Sequence, residues 1–307
     1  MTERDSSALN EAAFRHSRAL VWVQAARPRT LSLSVTPVAV GAAIAGAESA
    51  HVRWLPVAIA AVAAALIQIA TNLYNDAADF RRGGDSSARV GPPRVTATRL
   101  ISAADVDRAT LTGFAGAAAM GVYLAWAGGW PILLLGLVSI ACGWAYSGGP
   151  APIAYTPLGE AFVFAFFGVA AVAGTYWLAC SAMSLSALVA GAALGSFAAA
   201  VLLVNNHRDR DEDARVGRRT LAIALGAGAT KRLYAALMVA PFLLLAPLSL
   251  LLPHAHAAAA LISAPLAILA VARLFREPPG PGLNAILAQT AQVQLAFAAL
   301  LCVGLVV

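Results

Sequence analysis

Charge is what this sequence has least of. Only 12% of its 307 residues are Asp, Glu, Lys or Arg, whereas 60% are hydrophobic. A soluble domain carries about 25% charged residues, so this chain cannot cover the surface of one or two water-exposed domains. A soluble globular enzyme, a disordered chain and a collagen-like fibre are excluded. Cysteine is scarce too. Cys142, Cys180 and Cys302 stand far apart in apolar runs, which gives neither a disulfide framework nor a metal cluster. The first 18 residues, MTERDSSALNEAAFRHSR, lack an apolar h-region, so no cleavable signal is expected. Alternation with period two is missing from the apolar runs, which excludes a β-barrel. A mean hydropathy of +0.75 leaves an integral membrane protein.

A membrane-crossing helix needs roughly 20 mostly apolar residues. Nine segments qualify, at about 19–47, 54–75, 106–127, 130–147, 157–180, 184–206, 231–252, 255–274 and 286–307. The expected fold is therefore an all-α membrane protein: a polar cytoplasmic tail over 1–18 and one nine-helix transmembrane domain over 19–307. Arg27-Pro28-Arg29 and Pro37 interrupt the first segment, whose start is expected to be interfacial. With the N-terminus in the cytoplasm, the tail and the loops after the second, fourth, sixth and eighth helices hold 20 of the 21 Lys and Arg, and only Arg53 falls outside. The net charge of +6 thus reflects topology, and neither a nucleic acid nor an obligate protein partner is indicated.

Of 15 acidic residues only Glu48 falls on the outer side. Six of the rest cluster at the ends of two apolar segments, in Asn72-Leu73-Tyr74-Asn75-Asp76-Ala77-Ala78-Asp79 and in Asn205-Asn206-His207-Arg208-Asp209-Arg210-Asp211-Glu212-Asp213. Both contain N-x-x-x-D, and each is followed by Arg-Val-Gly (Arg89-Val90-Gly91, Arg215-Val216-Gly217), four helices apart, which hints at an internal duplication. Residues four apart share a helical face, so Asn72 and Asp76 point one way, with Asp79 close by, as do Asn205, Asp209 and Asp213. Carboxylates stacked this way repel unless a cation separates them. Mg²⁺ is the natural one, because it is hard and is held by one or two carboxylates together with substrate phosphates. Two such faces with Arg nearby suit a diphosphate. Asp211 and Glu212 read instead as solvated loop charges, and His207 as a turn residue.

These paired clusters in a nine-helix chain resemble the UbiA superfamily of intramembrane prenyltransferases, and most closely its 1,4-dihydroxy-2-naphthoate polyprenyltransferase branch. The first cluster followed by Arg89-Val90-Gly91-Pro92-Pro93-Arg94 is similar to that branch's first signature. Tyr146-Ser147-Gly148-Gly149-Pro150, Leu158-Gly159-Glu160 and Gly174-Thr175-Tyr176 are similar to its centre. The second cluster with Gly217-Arg218-Arg219-Thr220-Leu221-Ala222 is similar to its second signature. Trp22 with Ala26-Arg27-Pro28-Arg29-Thr30 matches the opening. Ala77-Ala78 departs from the aromatic residue often found there, and Arg218 replaces a frequent Lys.

The resemblance implies Mg²⁺-dependent transfer of a polyprenyl group from its diphosphate to an aromatic acceptor, with 1,4-dihydroxy-2-naphthoate giving demethylmenaquinone. The site would open to the cytoplasmic side of a bacterial inner membrane. Asn72, Asp76, Asp79, Asp209 and Asp213 would hold metal, with Asn205 beside them. Arg82, Arg94, Arg215 and Arg218 are candidates for the diphosphate, and Tyr146 and Tyr155 for lining the cavity. Arg27 is a candidate for the acceptor carboxylate. Alternatives are another ring acceptor, such as 4-hydroxybenzoate or homogentisate, and a transporter. The transporter is disfavoured because the carboxylates gather at one face rather than at the midplane.

Overall fold

The computed structural model describes residues 19–83, 91, 94–98 and 100–307, with the backbone alone at Arg29. The expected tail, Asp85, Arg89 and Val90 lie outside the described residues. Within them the chain is helical, with no strand. Eight helices are long and apolar enough to cross a membrane, and Trp130–Ala145 is a shorter apolar helix.

A helix over 19–26 stops at Arg27, whose backbone is left-handed (φ 53°, ψ 65°). Pro28 then opens α1 (Pro28–Glu48). Proline suits a first helical position because its φ is already helical and the missing N–H has no partner there. Next come α2 (Trp54–Arg81), α3 (Ala103–Gly128) and α4 (Trp130–Ala145). They are followed by α5 (Gly159–Cys180), α6 (Leu185–Arg208), α7 (Leu221–Leu251), α8 (Ala257–Arg276) and α9 (Leu283–Val306). The Ser102 and Ser184 hydroxyls accept backbone N–H bonds at the starts of α3 and α6, as N-caps should.

Two boundaries differ from the sequence reading in ways that matter. α2 continues past its apolar run to Arg81, so Asp76 and Asp79 are helical. α7 begins at Leu221, not near 231, and bends at Gly226 (φ 74°). Lys231, taken for a loop charge, sits inside that helix. Its ammonium donates to the carbonyls of Phe275 and Glu277 at 3.3 and 3.2 Å, which caps the end of α8. Arg53, the expected outer cation, likewise caps helix ends, donating to the carbonyls of Ala127 and Trp177.

α6 is the central post, and its neighbours reach it through small residues. A Cβ on Gly168 of α5 would stand 2.4 Å from both the carbonyl oxygen of Gly191 and Cα of Gly195 on α6. That is backbone contact of the kind small residues permit in membranes. On the other side Phe197 meets Phe242 and Phe297 edge-to-face. Trp126, Leu250 and Ile268 are exposed apolar side chains on the outside of the bundle, where lipid tails replace the water that would penalise them.

Candidate active site

The ends of α2 and α6 meet. Asn72, Asp76 and Asp79 are buried on one face of α2, and Asp209 and Asp213 are buried where α6 ends and a short helix, Arg210–Arg215, begins. The Asp213 N–H donates to the carbonyl of Asp209 (2.8 Å) and the Arg218 N–H to that of Asp213 (2.9 Å), so this turn is fixed by its own backbone.

Arginines fill the space between the carboxylates. Arg27 pairs with Asp76. Arg94 pairs with Asp79 at 2.5 Å and reaches Asp76 at 3.7 Å. Arg218 bridges Asp79 at 2.7 Å and Asp213 at 3.0 Å, which joins the two clusters. Arg208 grips Asp209 with two donors at 2.7 and 2.6 Å and also donates to Asn205 and Asn284. Four aspartates thus face four arginines. Burial lifts the Asp213 carboxyl to about 6, with Arg218 pulling it down and Asp209 and Asp79 pushing it up. Burial works against the charge of Arg218, but Asp79 and Asp213 outweigh it and hold the guanidinium firmly protonated.

All of these groups except Asp213, which reaches the site only through Arg218, line the polar end of a cavity of about 1600 Å³. Along α2 its wall runs from Asp79 back to Ala60, and the far end is apolar, with Leu124, Ile132 and Leu178. The π-helical turn Ala165–Ala170 in α5 keeps Phe162, Phe166, Ala170 and Gly174 on the cavity wall, since a wide turn cancels the drift of an i, i+4 row. The wall opens sideways at Val122, Leu133 and Leu295, all exposed. Gln292 is exposed at that rim, whereas Gln294 is buried and donates to Thr36.

Most of the candidate residues converge. Asn72 lines the cavity, and its amide donates to the Ala26 carbonyl and the Thr30 hydroxyl, both at 3.2 Å, which anchors the start of α1. Arg27, Arg94, Arg218, Asn205 and Tyr146 are also on the wall. The Tyr146 hydroxyl is pushed up by burial and then by Glu160. Others do not line it. Tyr155 lies under the guanidinium groups of Arg82 (5.2 Å) and Arg218 (4.7 Å), outside the cavity wall. Arg82 is tied to the carbonyls of Ser147 and Gly149, so it holds the 146–158 loop down. Arg215 is exposed on the far side of the Arg210–Arg215 helix and reaches no cavity wall, because its position in that helix turns it away from Asp213. The sequence reading missed Arg208, Asn206, Glu160 and Asn284. Arg208 stood inside the motif but was counted as a topological charge, and Asn284 comes from a distant helix with no local signal.

The donors are all hard oxygens, which fits Mg²⁺. Among the described residues, however, no three acidic, His or Cys groups converge on one point. Arginines hold that position instead, so a cation needs the guanidinium groups to change partners.

The sequence model of the UbiA prenyltransferase family matches residues 34–293. The 1,4-dihydroxy-2-naphthoate octaprenyltransferase of Mycobacterium tuberculosis is 36% identical over 90% of this chain and 94% of its own. That of Escherichia coli is 33% identical over 78% of this chain and 79% of its own. In fold, the chain is similar to the apo UbiA homologue of Aeropyrum pernix (TM-score 0.66, 17% identity, 89% of this chain and 96% of that one). It is similar also to the Archaeoglobus fulgidus UbiA homologue bound to GPP and Mg²⁺ (TM-score 0.65, 16% identity, 93% and 99%). With the paired aspartate clusters at the head of an apolar cavity, these matches establish that the chain belongs to the UbiA prenyltransferase family and is an integral-membrane aromatic prenyltransferase.

Proposed function

We propose that the protein transfers a polyprenyl group from its diphosphate to 1,4-dihydroxy-2-naphthoate, yielding demethylmenaquinone, with Mg²⁺ as cofactor. The observation that carries this reading is the Arg218 bridge, which unites both aspartate clusters at the polar head of a long apolar cavity. That is the shape of an amphiphile with a charged head. The naphthoate acceptor is inferred from the relatives that bear its name at 30 to 36% identity.

Asp76, Asp79, Asp209 and Asp213, with the Asn72 amide oxygen, would hold Mg²⁺, which when bound supplies electrostatic neutralisation of the leaving diphosphate. With the aspartates committed to metal, Arg94, Arg208 and Arg218 would be available to phosphate oxygens, where charge develops in the transition state. The apolar wall of Phe162, Phe166 and Leu178 keeps water from the allylic cation. Arg27, with a side chain one-third exposed at the rim, is the candidate for the acceptor carboxylate. The ring carbon bearing that carboxylate attacks the cation, a carbon–carbon bond forms, and carbon dioxide leaves.

The same bridge bears on topology. Asp79 and Asp213 touch one guanidinium, so the chain between them must cross the membrane an even number of times. α3, α5 and α6 alone would give three. We therefore count α4, short as it is, as a crossing, which supports nine spans. The basic loops then face the cytoplasm of a bacterial inner membrane.

The test is a proteoliposome assay with Mg²⁺, radiolabelled polyprenyl diphosphate and a panel of aromatic acceptors, with products identified by mass spectrometry. A demethylmenaquinone product that disappears with EDTA and returns with Mg²⁺ is expected. Prenylation of a different acceptor alone would remove the naphthoate assignment, and metal-independent turnover would remove the mechanism.

A further inference from the structure

Glu160 is a buried carboxylate that the aspartate–arginine network leaves out. It stands in the first turn of α5, 5% exposed, and joins none of the network's ion pairs. Its Oε1 accepts from Asn206 Nδ2 at 2.9 Å, and its Oε2 has no hydrogen-bond partner among the described residues. Leaving such an oxygen unpaired is costly, so the arrangement calls for a purpose.

The bond decides how Asn206 faces. A carboxylate oxygen accepts and does not donate, so the amide NH₂ of Asn206 must turn to Glu160. Its carbonyl oxygen is left for the other side. Asn206 lines the cavity, and that oxygen is therefore an acceptor offered to whatever lies there. A diphosphate cannot use it, because phosphate oxygens also accept and the nearby carboxylate repels them. A neutral donor fits, and a hydroxyl is the simplest. On α5, just beyond Glu160, Phe162 and Phe166 line the same cavity with rings 6.3 Å apart and only 5° from parallel. They form an apolar stretch of wall against which another ring can pack. Next along α6, Asn205 is committed to Arg208 and thereby to Asp209, so the two asparagines divide the work between head group and ring.

We propose that Asn206 accepts a hydroxyl of the aromatic acceptor whose ring lies against Phe162 and Phe166, with Glu160 as the positioning residue that fixes the Asn206 amide. The inference rests on the reading that the acceptor is a hydroxylated ring.

Steady-state kinetics in proteoliposomes test it, with Mg²⁺, polyprenyl diphosphate, and either 1,4-dihydroxy-2-naphthoate or its analogues lacking one hydroxyl. Wild type should prefer the dihydroxy acceptor over one of these analogues by about tenfold or more, since a site built to bind a hydroxyl rejects the ring without it. Asn206→Ala should raise KM for the dihydroxy acceptor roughly tenfold and erase that preference, while KM for the prenyl diphosphate stays within about twofold. Glu160→Ala should behave alike, the double variant should be no worse than either single one, and Glu160→Gln, which keeps an oxygen for Asn206, should recover most of the loss. If Glu160→Ala fails to purify, Asn206→Ala against Glu160→Gln carries the comparison, the first losing the hydroxyl preference and the second keeping it. The subsite is overturned if the variants retain the hydroxyl preference, or if they raise both KM values equally. A wild-type protein that binds prenyl diphosphate but prenylates no hydroxylated ring would instead overturn the function reading.

Discussion

Each aspartate of the site is bound to an arginine, and their individual substitutions carry the sharpest consequences. Asp76→Ala and Asp209→Ala are each expected to lower turnover by at least about a hundredfold, the scale of losing one electrostatic stabiliser, while the protein inserts and purifies as before. A variant retaining most of its activity would remove that residue from the metal site. Asp213 makes a separate prediction. Its carboxyl is raised from 3.8 to about 6, so between those values the folded protein holds a proton that the unfolded chain releases. In metal-free protein, the contribution of this group to stability therefore falls as pH rises through that window. Asp213→Asn should gain on wild type between about pH 4 and 6, by up to ~3 kcal/mol, read as apparent Tm in detergent. A gap that does not change with pH would show that Asp213 is not buried as described. The sequence disclosed these aspartates through their four-residue spacing. It hid Arg208 and Glu160, because a positive charge near a cytoplasmic loop and a lone acid at a helix start have ordinary explanations until their partners are seen.

Among the helices, the seam between α5 and α6 leaves almost no room. At Gly168 an added methyl group meets the backbone of Gly191 and Gly195 at 2.4 to 2.5 Å, and backbone cannot turn aside as a side-chain tip can. Gly168→Ala should cost about 1–3 kcal/mol of stability, the usual penalty of overpacking, seen as a lower Tm in detergent. Gly46→Ala, whose methyl group meets nothing within 4 Å, should leave Tm unchanged or slightly higher; equal losses at both positions would refute close packing as the cause. The positions of the helices were legible from apolar run length alone. Their ends were less so, because α2 runs beyond its apolar stretch through Asp76 and Asp79 to Arg81, and α7 begins at Leu221, ahead of Lys231, where run length gives no signal. The π-helical turn had no sequence signal, since it is fixed by the fit of α5 against α6.

The whole molecule predicts its own sidedness. In a background without Cys142, Cys180 and Cys302, Ala97→Cys and Ala214→Cys, both at exposed positions, should react with an impermeant maleimide from the cytoplasmic side, and Ala182→Cys from the opposite side. Labelling of the first two from opposite faces would contradict the Arg218 bridge. The cavity's sideways opening at Val122, Leu133 and Leu295 has a further effect on how the enzyme is measured. A prenyl donor that arrives through that opening comes from within the bilayer, so the concentration that matters is its mole fraction among lipids, not its amount per litre. Diluting the membrane with inert lipid at constant total substrate should raise the apparent KM for the donor in proportion, while a water-soluble acceptor shows no such surface dilution.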